Sequence, residues 1–271
     1  MMRRGILIAF ASSALLFTGC EELENLCGIS ADDLGFTEEY NKHLGAAIYV
    51  YQQADRALRD TDLDVNDTAE IDGAICTKTA DSLIVDFGNG TIGQDNVTRY
   101  GSYRMALIGN YMNLGGKASL ALKNYRNGDD LYTGDFIIEN TIPSGSTSPR
   151  YDISVASFAV DSFELNANMV ADWVAGSGTP SITDDEFNLS GGASLSNTSS
   201  LDAYNGSIVT PLLISTGCEY SFISGELTLI PTNTELPSVA IDFIDADNCE
   251  NLFQATVSCN GGNFTTTLPI K

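Results

Sequence analysis

Carboxylates offer the first chemistry in this sequence. Asp60, Asp62, Asp64, Asn66 and Asp67 set hard oxygen donors at alternate positions, D-x-D-x-D-x-N, a spacing that can wrap Ca²⁺. An EF-hand loop needs Gly at its sixth position and Glu at its twelfth. Counted from Asp60 those positions hold Val65 and Ile71, and counted from Asp62 they hold Asp67 and Gly73. The run therefore reads first as a solvated acidic loop, with Asp60, Asp62 and Asp64 as a candidate Ca²⁺ set second. Asp242, Asp245, Asp247 and Glu250 form another acidic cluster beside Cys249. It reads chiefly as a hairpin device whose Asx side chains bond the backbone. Asp242, Asp245 and Asp247 are its candidate Ca²⁺ ligands, and no other cofactor is expected.

Catalytic constellations are sparse. The one histidine, His43, falls away from the centre of a helical apolar face and reads as a surface residue. The sequence holds no G-x-S-x-G elbow, no H-E-x-x-H and no Gly-rich phosphate loop with Lys. Two carboxylates would suffice for glycoside hydrolysis, but acid abundance alone assigns no pair. No catalytic residue is named, and a catalytic role is not the expectation. Trp173 with Tyr103, Tyr111, Tyr125, Tyr132 and Tyr151 could form a sugar-stacking platform, and core packing explains them equally well.

Cys20 carries a different chemistry. Arg3 and Arg4 precede an apolar run from Gly5 to Phe17, and Thr18-Gly19-Cys20 follows. A basic start, a short apolar stretch and small residues before a cut site describe a secretory signal over residues 1–19. The run is too short for the roughly 20 residues that span a bilayer as a helix. Leu16-Phe17-Thr18-Gly19-Cys20 looks like a bacterial lipobox, in which the cysteine is acylated and the chain is cleaved before it. The expected mature protein begins at Cys20 and meets the membrane through N-terminal acyl chains. Several chains anchor stably where one binds only marginally.

Charge narrows the partners. The 271 residues carry 13 Lys and Arg against 36 Asp and Glu, a formal net charge of -23. Without Arg3 and Arg4 the balance is 11 against 36, or -25. Such a chain does not suit nucleic acid, whose phosphates need Lys and Arg, and anionic lipid repels it. Acyl chains rather than the protein surface must then hold it to a membrane. Hydrophobic residues make up 43%, enough for a core. Cys27, Cys76, Cys218, Cys249 and Cys259 remain beyond Cys20. Outside the cytoplasm cysteines tend to pair, and five leave one over.

The elements that must position these residues follow from periodicity. Residues 20–35 read as a tether. Residues 36–59 read as a helix, because Phe36, Tyr40, Leu44, Ile48, Tyr51 and Leu58 share one face that should lie on a sheet. Asp60 to Gly73 reads as an acidic loop. From Ser82 onward, runs rich in β-branched and aromatic residues alternate with turn signals. Strands are expected over 83–87, 98–108, 118–125, 131–139, 153–166, 169–174, 207–215, 219–230, 238–243, 252–259 and 263–270. Asn89-Gly90, Asn127-Gly128, Asn205-Gly206 and Asn260-Gly261 offer tight turns. Gly176 to Ser200 reads as a long loop or a pair of weak edge strands. No helical pattern separates the strands, so the sheet should be antiparallel. The expectation is a mainly β fold, an antiparallel β-sandwich or strongly curved sheet with one N-terminal helix. Residues 36–271 would form a single domain. Ser82-Leu83-Ile84-Val85-Asp86-Phe87 also matches Ser238-Val239-Ala240-Ile241-Asp242-Phe243 column by column, an echo that duplication or chance could produce.

Several motifs together are similar to one group of proteins. They are Asp86-Phe87-Gly88-Asn89-Gly90 with Asp95-Asn96-Val97-Thr98-Arg99-Tyr100-Gly101, Cys218-Glu219-Tyr220 leading to Ser224-Gly225-Glu226-Leu227, and Ile241-Asp242-Phe243 through Cys249 to Asn260-Gly261. From Cys20 to the C-terminus they resemble a group of Bacteroidetes surface lipoproteins with no established activity. Glu21, Glu22 and Glu24 resemble the surface-export signals of such lipoproteins. Ile244 and Ala246 replace glycines of the family's second turn, and no cysteine stands near Thr91. The resemblance implies an outer-membrane address, with the protein periplasmic or surface-exposed. It also implies a Cys218–Cys249 disulfide. That loop of about 30 residues would restrict the unfolded chain by roughly 3–4 kcal/mol in the entropic account. The functional expectation is a lipid-anchored envelope protein with a non-catalytic binding or structural role. Its alternatives are a surface protein that binds or hydrolyses glycans, with a glycan or an envelope protein as partner, and a carrier of a hydrophobic ligand.

Overall fold

A computed structural model of the chain describes residues 35–93, 97–143, 145–146, 148–179, 182–200, 202–218, 222–233, 236–243, 252–259 and 262–269. Helix α1 (Gly35–Arg59) opens the described chain and α2 (Thr61–Asn66) follows at once. Alanines at 46, 47, 54 and 57, the residues Leu44, Leu58, Gln52 and Gln53, and the lack of proline favour α1 as a helix. Asp60 ends it by starting the next helix. Its carboxylate accepts the Leu63 amide hydrogen at 2.8 Å in an N-cap. Asp67, at φ 59°, closes α2 in the left-handed region.

Fifteen strands follow among the described residues. They are β1 (Thr68–Ile71), β2 (Ala74–Lys78), β3 (Ser82–Asp86), β4 (Thr91–Ile92), β5 (Thr98–Ile108), β6 (Lys117–Asn127), β7 (Asp130–Asn140) and β8 (Arg150–Val160), then β9 (Phe163–Ala175), β10 (Glu186–Asn197), β11 (Ala203–Ser215), β12 (Phe222–Pro231), β13 (Val239–Phe243), β14 (Leu252–Cys259) and β15 (Gly262–Pro269). They form one antiparallel sheet in which each strand pairs with its sequence neighbours, except that β3 pairs with β5 and β4 attaches to β5 alone. The expected mainly β, antiparallel fold with an N-terminal helix is the one formed.

The curvature has visible devices. Register slips between Tyr100 and Ser102 of β5 against β6 and between Leu122 and Tyr125 of β6 against β7, so the extra residue bulges from β6. Gly101 sits there at φ 79°, where a Cβ would come within 2.0 Å of the Asn124 carbonyl oxygen. Only glycine fits that approach, and such bulges bend and twist a sheet. Further slips lie between Val155 and Phe158 on β8 and between Leu189 and Gly192 on β10.

The sheet curls around α1. A helix laid on a sheet would bury one stripe, yet α1 is buried from His43 through Leu58 without a break. Its contacts point in opposed directions. Tyr40 donates its hydroxyl to Ala193 O on β10 at 3.1 Å. Tyr49, nine residues on and about half a turn round a 3.6-residue helix, donates to Asp72 Oδ2 between β1 and β2 at 2.7 Å. Gln53 accepts from Tyr103 of β5 at 3.3 Å, and Gln52 donates to Ser215 O of β11 at 3.5 Å. The expected single-faced helix is thus an enclosed one, its second face made of polar side chains that find partners on the surrounding strands.

Other corrections concern the strands. The segment 68–78, expected in part as an acidic loop, forms β1 and β2. The expected strand 153–166 is two strands, parted at Asp161, which takes φ 52° without a Gly or Pro to announce it. The Gly- and Ser-rich stretch 176–200 contains β10, an interior strand of 12 residues. Asn205-Gly206 lies inside β11, while Asn127-Gly128 does join β6 to β7. The echoed segments share their inward and outward positions. Leu83, Val85 and Phe87 match Val239, Ile241 and Phe243 as buried side chains, with Asp86 and Asp242 outward.

Candidate functional site

The residues nominated as Ca²⁺ ligands are not gathered. Asp60 spends its carboxylate on the α2 cap, and Asp64 pairs with Lys78. Asp62 is exposed on α2, and Asp242 points outward from β13. Asp245 and Asp247 lie outside the described residues, as do Cys20 and Cys249. Among the described residues no group of three His, Cys, Asp or Glu side chains is placed to hold a metal. Cys218 lies in the turn after β11, where its backbone amide donates to Ser215 O at 3.1 Å. Cys76 is a free thiol buried on β2, and burial, then Asp60, pushes its pKa up to about 12.

His43 is a correction. Its side chain is fully buried between Tyr132 of β7 and Phe163 of β9, with ring centroids 6.2 and 5.6 Å away. Nδ1 lies 2.8 Å from the Glu39 carbonyl oxygen, so Nδ1 carries the hydrogen. Burial lowers its pKa, against the opposing pull of the Glu39 carbonyl and carboxylate. The aromatic platform is not formed either. Tyr103, Tyr125, Tyr132 and Tyr151 are at most 2% exposed, and Tyr111 and Trp173 are 6% exposed. These rings pack inward.

Chemistry gathers instead at the C-terminal end of α1. Arg59 meets Asp55 at 2.6 Å and Asp185, before β10, at 2.8 Å. Its guanidinium lies 4.4 Å from the centre of the Trp173 ring, which stacks on Phe187. Tyr111 donates to the second oxygen of Asp55 at 2.9 Å and stacks on Tyr151 at 4.8 Å. Both carboxylates and the arginine are almost wholly buried, so each needs the others. Burial works against charge on Arg59, but Asp55 and then Asp185 more than offset it and hold the guanidinium pKa above its ordinary value. Burial raises the Asp185 pKa, and Arg59 opposes that rise. Sequence reading missed this cluster because its members are scattered over more than 120 positions. Charged residues on an otherwise enclosed helix are the one signal that could have found it.

In front of the cluster lies a pocket of about 520 Å³. The ends of α1 and α2 form one side, Lys78 and Ala80 another, and the β5–β6 connection with Lys117 the third. That connection is held rigidly. Asn140 donates its side-chain amide to Tyr111 O at 3.0 Å, and its backbone exchanges 2.8 Å hydrogen bonds with Gly115 and Gly116. Asn110 accepts from the Met112 amide at 2.9 Å. Lys78 pairs with Asp64, and Lys117 reaches Glu139 at 3.3 Å. A second, shallower groove of about 580 Å³ crosses the outer face of β3, β5, β6 and β7, floored by Ala106 and Ala121 and flanked by Arg104 and Asp135.

No protein-family profile, curated protein or solved structure matches the chain.

Proposed function

We propose that this chain is a lipid-anchored protein of the bacterial envelope, held at the outer membrane by acyl chains on Cys20, that acts by binding or structure rather than catalysis. It stands in this reading with the surface lipoproteins its turns resemble. The observation that favours this reading over a carrier of hydrophobic ligands is the filling of the sheet's interior by α1. Tyr40, Tyr49, Tyr51 and Tyr103 are at most 2% exposed around it. A carrier of hydrophobic ligands needs an apolar lumen, and here a helix occupies that place. A glycan platform needs outward aromatics, and the nominated rings face inward. Among the described residues, the rim pocket and the outer groove offer access. Leu16 to Cys20 supports the anchor.

Metabolic labelling with palmitate tests the anchor. The expected outcome is a labelled protein in the outer-membrane fraction and an unlabelled, uncleaved Cys20→Ala variant. Unlabelled wild-type protein, or full-length protein recovered from cytosol, would overturn it. The Cys218–Cys249 bridge belongs to the same proposal and is checked by peptide mapping with and without reductant. Two free thiols would remove it.

A further inference from the structure

The outer groove over β3, β5, β6 and β7 carries a pattern that complements itself. From it we infer that a second copy of this chain docks there, face to face, about a two-fold axis running along β6. The inference goes beyond the binding role proposed above and holds whether or not Cys20 is acylated. Two rows of outward positions carry it. Register sets Ile84, Arg104, Ala121, Asp135 and Ala156 side by side on β3, β5, β6, β7 and β8. Two residues along, Ser82, Ala106, Ser119, Ile137 and Ser154 form the next row on the same strands. Residues two apart on a strand share a face. Arg104, Ala106, Asp135, Ile137, Ser154 and Ala156 are exposed on it.

Rotation about β6 reverses the order of each row. β5 then faces the β7 of the second copy, and β3 faces its β8. Arg104 meets the second copy's Asp135, and Asp135 meets the second copy's Arg104. Ile137 stands over Ala106, and Ile84 over Ala156. The axis itself passes between small side chains, Ala121 and Ser119. Each charge thus finds its opposite and each isoleucine finds a hollow. Matching of a patch to its own rotated image is what an isologous interface requires, and an unrelated ligand would not need it.

Within one chain these two charges are held apart. Arg104 and Asp135 flank β6 at two inter-strand spacings, roughly 9–10 Å. Arg104 donates to the Ser82 hydroxyl at 3.0 Å. Asp135 is exposed and joined to no cation among the described residues. Both therefore enter the contact without breaking an ion pair. The contact is small. Lys117 and Lys123 stand two positions beyond the rows on β6, where each would meet its own copy across the axis, so the match ends there. Two rows on five strands cover roughly 20 Å by 14 Å. Such a patch falls short of the roughly 1,000 Å² that marks a stable interface, and the association is accordingly weak. The net charge of -23 on each copy opposes it at low ionic strength, whereas physiological salt screens charges beyond about 8 Å.

The experiment is sedimentation equilibrium of the full chain in a density-matched detergent, at physiological salt and up to about 1 mM protein. A monomer–dimer equilibrium is the expected result. Arg104→Asp and Asp135→Arg each set like charges against one another twice per dimer, and each alone should weaken association at least about tenfold. An equimolar mixture of the two variants should recover the wild-type strength, because two charges of one sign then meet two of the other. Both side chains are exposed, so melting should be unchanged, which shows that the variants fold. Ala106→Phe fills the hollow that receives Ile137 and should weaken the dimer without touching a charge. A monomer at every concentration, single variants that associate like the wild type, or a mixture no stronger than either variant alone would each overturn the inference.

Discussion

The buried imidazole of His43 should show in the pH dependence of stability. An exposed histidine titrates near pH 6.5. In the folded protein burial lowers that value, although the Glu39 carbonyl and carboxylate and Asp130 pull it up and Lys42 pulls it down. As pH falls below about 6.5, the unfolded chain takes up a proton that the native state refuses, and stability is lost until the lowered folded value is reached. Above that window the contribution is constant. The fall in melting temperature from pH 7 to pH 5.5 should therefore be larger for the wild type than for His43→Gln, which keeps a donor for the Glu39 carbonyl. Equal falls would refute it. Asp185, whose folded pKa is raised, acts with the opposite sign, but it is common to both proteins and cancels in the comparison. Little of this was legible beforehand. His43 falls off the apolar stripe, and a sequence pattern cannot show that a second set of strands waits on that side. Asp60 was legible as an acid but not as a cap, because a capping residue and a metal ligand are the same oxygen in different surroundings.

At the scale of elements, the contact of α1 with β10 and β11 is close enough to forbid a methyl group. A Cβ on Gly206 would lie 2.0 Å from the Tyr40 hydroxyl oxygen and 3.0 Å from Leu229 Cδ2. Overpacking of this kind costs about 1–3 kcal/mol, so Gly206→Ala should lower the denaturation midpoint accordingly. Tyr40→Phe alone should cost about 1 kcal/mol through the lost hydrogen bond to Ala193 O. The double variant should be less damaged than the sum, since phenylalanine removes the oxygen nearest the new methyl. Strict additivity, read from the midpoints of the three variants, would mean that the helix simply shifts. β14 was readable to the residue because its apolar and polar positions alternate, and β5 because its β-branched and aromatic run is bounded by turn signals. β10 was not, since Ser190, Gly191, Gly192 and Ser194 disguise a strand whose buried Phe187, Leu189, Ala193 and Leu195 keep the alternation on either side of a slip in register. The rim pocket was not readable at all, because its walls come from α1, α2, β2 and the β5–β6 connection.

For the molecule as a whole, the enclosed helix predicts how the structure opens. Its side chains reach β5, β7, β9, β10 and β11, so it cannot leave without exposing the core those strands share. Amide hydrogen exchange should find residues 40–58 as slow as β9 and β10, exchanging only through global unfolding. Faster exchange in the helix than in those strands would show that it docks loosely. Sequential pairing of the sheet also has a consequence in time. A ribosome makes α1 first, while its partners on β10 and β11 follow about 150 residues later, a wait of about 8–30 s at ordinary elongation speeds. Most of the stability of a helix in a protein comes from tertiary packing, which α1 lacks until those strands arrive. The newborn polypeptide therefore carries an unsheltered spindle on which successive ribbons must wind.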